Sequence, residues 1–190
     1  MPYIQRTGKP TLFYELDDFT DPWAHAPVLL LQHGYGRNSN YWYQWVPYLS
    51  RHYRVVRPDL RGLGRSGKNF DLRTGLTIEA YLDDLVDIAD RLGVDSLHYC
   101  GESIGGILGL AFSGAHAGLV RSLSLVSAPV FIGEKARQVL ACGHESWPAA
   151  IRNMGPQAWL SATNLSSRFP ADMPQPFIDW YDRGVAAAGV

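Results

Sequence analysis

The chain has 190 residues, 46% of them hydrophobic and 12% aromatic, with 17 Lys and Arg against 18 Asp and Glu. That apolar content can offset the ordering entropy of folding and excludes a disordered chain, while a formal net charge of -1 provides no general field for nucleic acid or an anionic membrane. The longest uncharged apolar run, residues 26–31, is far short of the ~20 residues a membrane span needs.

The N-terminal segment MPYIQRTGKP has no apolar stretch behind its basic residues, so no secretory leader is expected. Two cysteines, Cys100 and Cys142, are too few for a disulfide framework, and a reduced, cytoplasmic compartment is the expectation. Residues 11–17 (TLFYELD) follow a turn at Gly8, Lys9 and Pro10 and have strand composition. Residues 27–32 (PVLLLQ) form a continuous apolar run ending at His33 and Gly34, the pattern of a strand buried on both faces. Trp42, Trp45, Val46 and Leu49 fall at the spacing of one short helix. Residues 53–59 read as the next strand, closed by the Gly-rich segment RGLGRSG at 61–67.

The clearest helix is expected over 78–92. Thr77 is its N-cap, Gly93 its stop, and Ile78, Tyr81, Leu82, Leu85, Ala89 and Leu92 form its apolar face. Asp83, Asp84, Asp87 and Asp90 occupy much of the remainder. A short strand at 97–100 runs into Gly101, a helix rich in small residues follows from Ile104 to about 117, and residues 120–126 close the series as a strand. Strands alternating with helices predict an α/β fold with a mostly parallel sheet covered on both faces. After about residue 131 the character changes to Trp147, Trp159 and Trp180 among Pro148, Pro156, Pro170, Pro174 and Pro176. Short helices joined by Pro-rich turns are expected there.

Gly101-Glu102-Ser103-Ile104-Gly105 matches G-x-S-x-G between a predicted strand and a predicted helix, which is the context that motif requires. A serine at so sharp a turn is held in a strained backbone with its Oγ projecting above the sheet. The small residues two before and two after let strand and helix approach, and the helix N-terminus brings amide N–H groups beside the nucleophile. His33-Gly34-Tyr35-Gly36 follows the preceding buried strand. An oxyanion hole needs one N–H from the residue after the nucleophile and one from this loop, which assigns Ile104 and Tyr35.

With HGYG at 33–36, PDLRGLGRSG at 58–67, GESIGG at 101–106 and SAP at 127–129, in that order, the sequence resembles the α/β-hydrolase fold family, in its subgroup of serine esterases and lactonases. The resemblance implies an α/β-hydrolase-like core over residues 1–130, and a helical cap over 131–190 lying above the C-terminal strand ends. It implies Ser103 as the acylated nucleophile and a substrate pocket bordered by Gly34, Trp42, Trp45 and cap aromatics such as Trp147. The reaction would be hydrolysis of a small-molecule carboxylic ester, thioester or lactone, with no metal or organic cofactor, no nucleic-acid partner and no membrane.

The family's triad runs Ser, then Asp or Glu, then His, yet only His116 and His144 follow Ser103. His116 ends the helix that Ser103 opens, about 20 Å away at 1.5 Å per residue, and His144 lies in the expected cap. Glu134 could be the acid in a minority arrangement. The expectation is a chain cut short after the cap, carrying nucleophile and oxyanion hole without the base and therefore with little turnover. The residue 120–126 strand would then be an unpaired edge.

Other readings are weaker on their chemistry. Asp59, Arg61 and Ser66 form a second triad-like set, better read as a structural loop. His33 is read as a brace of the oxyanion loop, and Glu102 as shaping the elbow. The sequon at Asn164 and Ser166 has no secretory context. His144-Glu145 fails as a zinc motif because residue 148 is Pro. GLGRSG at 62–67 is literally G-x-G-x-x-G, but no apolar helical period opens within it to hold a pyrophosphate. A ligand-binding protein of the same fold without catalysis is the alternative class. Cofactor-free haloperoxidase, acyltransferase or C–C hydrolase chemistry could use the same serine.

Overall fold

A computed structural model of the chain describes residues 2–163 and 169–189; the sequon at 164–166 lies outside them. The chain divides into two compact units, Met1–Pro129 and Val130–Val190. The first contains strands β1 (Tyr3–Ile4), β2 (Leu12–Asp17), β3 (Val28–Gln32), β4 (Arg54–Pro58), β5 (Leu97–Glu102) and β6 (Val120–Val126). Its helical segments are a 3-10 turn (Ser39–Trp42), α1 (Val46–Leu49), α2 (Leu72–Gly75), α3 (Ile78–Leu92) and α4 (Ile104–Ala115).

The strands form one sheet in the order β1-β2-β4-β3-β5-β6. β4, β3, β5 and β6 run parallel, while β1 pairs antiparallel with β2 and β2 antiparallel with β4. This is the mostly parallel sheet expected from the alternating pattern. β3, at its centre, is buried along its whole length. Leu30 on one face packs with Val28, Val56, Leu97 and Tyr99 against α3 and α4. Leu31 on the other packs with Leu29, Val55 and Cys100 against Trp42.

α3 begins and ends where its caps dictate. Thr77 Oγ1 accepts the Ala80 N–H at 3.2 Å, and Gly93, at φ 64°, closes the helix in the left-handed region that a side chain disfavours. Its buried face differs from the expected one: Ile88 is in the core, whereas Ile78 is half exposed. Asp84, expected on the solvent face, is 5% exposed. Its carboxylate receives both Arg61 Nε (2.6 Å) and Arg6 Nη1 (2.5 Å). The helix expected around 42–49 resolves into the 3-10 turn and the separate α1, with Pro47 in the first turn of the latter.

The second unit is helical, with α5 (Glu134–Ala141), α6 (Trp147–Met154), α7 (Pro156–Thr163) and α8 (Gln175–Ala187). Ala150, Trp159, Leu160 and Val185 form its core. Trp159 Nε1 donates to the Leu140 carbonyl at 2.7 Å, and its ring stacks on Trp147 at 5.6 Å. Among the described residues no helix is long and apolar enough to cross a membrane.

Candidate active site

At the end of β5 the chain turns abruptly into α4. Ser103 occupies the turn at φ 54° and ψ -121°, an uncommon conformation for a residue with a side chain. Its N–H donates to the Val126 carbonyl on β6 at 3.0 Å, and its own carbonyl accepts from Gly106 N (3.0 Å) and Ile107 N (3.2 Å). The turn is therefore pinned to the neighbouring strand on one side and to the first helical turn on the other.

Sterics explain the two motif glycines. A Cβ on Gly101 would overlap the backbone of Gly105 and come within 2.6 Å of Gly106 N; one on Gly105 would stand 2.5 Å from Gln32 O and 2.8 Å from His33 O. Strand, helix and the 33–36 loop meet here at backbone contact. Gly34 belongs to the same junction, because a Cβ there would overlap the Glu102 carboxylate and sit 2.9 Å from Ser103 Cβ. Ile104 is the first residue of α4, so its N–H has no acceptor within the helix. The structure thus brings Ser103, Ile104, Gly34 and the adjoining Tyr35 to one corner at the C-terminal edge of the parallel strands.

His33 is fully buried and both ring nitrogens are occupied. Leu60 N–H, which can only donate, points at Nε2 at 3.0 Å. The ring proton is therefore on Nδ1 and donates to the Gly34 carbonyl at 2.7 Å. Burial, with a smaller contribution from Arg37, lowers the pKa of His33 against the opposing pull of the Gly34 carbonyl and Asp59. The imidazole is a neutral brace between the 58–67 segment and the 33–36 loop.

That segment is itself held from within. Asp59, 1% exposed, accepts Ser39 N (2.6 Å) and Arg65 N (2.7 Å). Ser66 Oγ donates to the Asp59 carbonyl (2.7 Å) and accepts from Phe13 N (3.0 Å), so the Asp59, Arg61 and Ser66 set is a buried scaffold. Arg61 also donates from Nη1 to the Gly75 carbonyl at 3.0 Å and from Nη2 to the Ala80 carbonyl at 2.7 Å. No helix opens within Gly62–Gly67; the next, α2, starts at Leu72, which removes the basis for a dinucleotide site. The tie from Leu60 to His33 and the tie from Asp84 to Arg61 both escaped the sequence reading. A signal was present in the Asp84 case: Arg6 and Arg61 both need acidic partners if buried.

Trp42 is 1% exposed in the core, and a side chain so enclosed offers a ligand no surface. Trp147 lies in the second unit, where it lines a groove of about 490 Å³ with Glu134, Arg137 and His144. Glu134 opens α5 and pairs with Arg137 at 3.1 Å. His116 caps the far end of α4, about 18 Å from its start at 1.5 Å per residue. His25, His52 and His98 precede or begin β3, β4 and β5, at the opposite edge from Ser103. Cys100, 4% exposed, has its thiol pushed up to about 11 by burial, as befits inert core.

The chain's residues 27–170 match the family model for the alpha/beta hydrolase fold. The RutD protein of Agrobacterium fabrum, assigned as a carbamate hydrolase, is 35% identical over 117 residues, 62% of this chain and 43% of that protein. The strigolactone esterase D14 of Arabidopsis thaliana is 33% identical over 110 residues, 57% of this chain and 41% of that protein. The chain thus spans less than half the length of both. A crystal structure of a hydrolase from Pseudomonas aeruginosa superposes with a TM-score of 0.76 at 24% identity, over 98% of this chain and 66% of that one. The chain belongs to the α/β-hydrolase fold family.

Proposed function

We propose that this α/β-hydrolase family member works through an acyl-enzyme on Ser103, with a carboxylic ester, thioester or lactone as substrate. The observation that carries the reading is the left-handed Ser103, wedged between glycines that admit no Cβ and followed at once by the N-terminus of α4. Ser103 Oγ adds to the substrate's carbonyl carbon and loses its proton to a base. The carbonyl π pair moves to oxygen, where the Ile104 and Tyr35 N–H groups receive it. Collapse expels the leaving group, which takes up a proton, and water then releases the acid and regenerates the serine. The names of the relatives, an esterase and a carbamate hydrolase, fit substrates of this acyl class. The reading calls for no metal or organic cofactor, and the 130–190 unit takes the role of cap.

The general base is the weak link. Of the imidazoles described in the first unit, His33 is spent as a brace and the others stand at the wrong edge or the far end of α4. A serine without a base is a poor nucleophile, so turnover by these 190 residues alone is proposed to be low. The same observation favours a second reading, a binding protein that uses the fold's pocket without catalysis. Acyl transfer, C–C hydrolysis and cofactor-free haloperoxidation would employ the same serine.

Labelling with a fluorophosphonate, read by peptide mass spectrometry with Ser103→Ala as control, separates these. Label on Ser103 alone establishes an activated serine. Label that appears only when an imidazole is added to the buffer supports the elbow without its base. No label under either condition overturns the acyl-enzyme reading in favour of the binding protein.

A further inference from the structure

Three non-glycine residues among those described have positive φ: Ser103 at 54°, Ser127 at 47° and Cys142 at 48°. Cys142 ends α5 as a left-handed cap, an ordinary way for a helix to finish. Ser127 closes no helix. It follows the last residue of β6, where a turn is open to residues of negative φ, and glycine would remove the steric penalty that a Cβ brings to this region. Non-glycine residues held in this way gather at functional sites.

The position of Ser127 gives that observation its meaning. β5 and β6 are parallel with Glu102 opposite Val126, and Ser103 N–H donates to the carbonyl of the peptide that leads into Ser127. Neighbouring strands lie about 4.8 Å apart, so two left-handed serines stand side by side at the C-terminal edge of the sheet. The turn is built into the elbow, because Ala128 Cβ occupies the space beside Gly106 that a second Cβ would need. Ser127 is exposed, and no described hydrogen bond uses its hydroxyl.

We infer that Ser127 is a substrate-contacting residue, whose hydroxyl donates to the leaving-group oxygen of the tetrahedral adduct on Ser103. This rests on the acyl-enzyme reading and sharpens it. The Ile104 and Tyr35 amides serve the former carbonyl oxygen, leaving the second oxygen to Ser127. A thioester places a sulfur there, a weak acceptor, so the favoured substrates are oxygen esters and lactones.

Phenylboronic acid tests this on the full chain. Ser103 Oγ forms a bond to boron and its proton passes to buffer, giving a tetrahedral boronate with two hydroxyl oxygens; the dissociation constant is read by boron NMR. Ser127→Ala removes the hydroxyl and keeps the strain, and Ser127→Gly removes both. Both should weaken the adduct roughly ten- to a hundredfold, the range of one hydrogen bond to a charged group, with thermal melting confirming that each is folded. Undiminished binding by either variant overturns the inference while leaving Ser103 as nucleophile: if only Gly weakens the adduct, the backbone conformation at residue 127 is responsible and the hydroxyl is not. If wild type forms no adduct that Ser103→Ala abolishes, the acyl-enzyme reading falls and this inference with it.

Discussion

Mild acid should loosen the 33–36 loop through His33, and a Gln substitution should abolish that response. In the folded chain the imidazole is held neutral, with Nε2 accepting from Leu60 N–H and Nδ1–H donating to Gly34 O. Burial sets its pKa below the ordinary value of 6.5, so the unfolded chain takes up a proton first as pH falls. The stabilisation is fully present above about pH 6.5 and is lost below it, with a slope of at most about 1.4 kcal/mol per pH unit. Between about pH 6.5 and 5.5 the loss attributable to this one residue is therefore up to ~1 kcal/mol. A protonated Nε2 would also face the Leu60 N–H donor to donor, releasing the 58–67 segment from the 33–36 loop. Urea denaturation of wild type and His33→Gln across this range isolates the contribution, since every other titrating group cancels in the difference. The Gln variant keeps an acceptor for Leu60 and should show the shallower pH dependence. The protection factor of the Leu60 amide, the exchange rate divided out for its intrinsic pH dependence, should fall from neutral pH to about pH 5.5 and gives a local reading of the same event. Equal pH slopes for the two proteins would refute the assignment of His33 as a neutral brace.

Two further substitutions probe the scaffold. Asp84→Asn leaves the guanidinium groups of Arg6 and Arg61, 6% and 5% exposed, without their shared charge. Breaking such a buried set costs about 3–5 kcal/mol, visible as a melting temperature lower by roughly 6–20 °C; a loss under about 1 kcal/mol in urea would mean the network contributes little. Gly105→Ala places a Cβ 2.5 and 2.8 Å from two backbone oxygens that cannot swing aside. It should destabilise by about 1–3 kcal/mol and slow phosphonate labelling of Ser103, and labelling at the wild-type rate would show the elbow to be looser than these contacts imply.

The elements that sequence reading located share one property, a strong local signal. β3 is an unbroken apolar run, and α3 is bounded to the residue by Thr77 and Gly93. The elbow is legible because the steric demand acts between residues two apart: Ser103 needs Gly101 and Gly105, and both are in the motif. What went unseen depends on partners remote in the chain. β1 is two residues long and exists through its pairing with β2, Tyr3 opposite Phe13. Asp84 resembles its solvent-facing neighbours Asp83 and Asp90 in sequence, and only folding brings Arg6, 78 residues away, to its side. Trp42 sits at the spacing of an amphipathic helix whichever way its ring points, and the packing of Leu29, Leu31 and Val55 around it put it in the core.

For the site, the division follows the range of the forces. Sequence alone determined the fold class, the glycine-framed turn at Ser103 and the 33–36 loop that follows β3, since backbone sterics and helix capping operate within a few residues. Tertiary structure alone decided which partners hold His33 neutral, which groups Asp59 and Ser66 are hydrogen-bonded to, and that a second left-handed serine stands beside the first. Each of these depends on which strand lies next to which, and so on the burial and hydrogen bonding that only the assembled sheet provides.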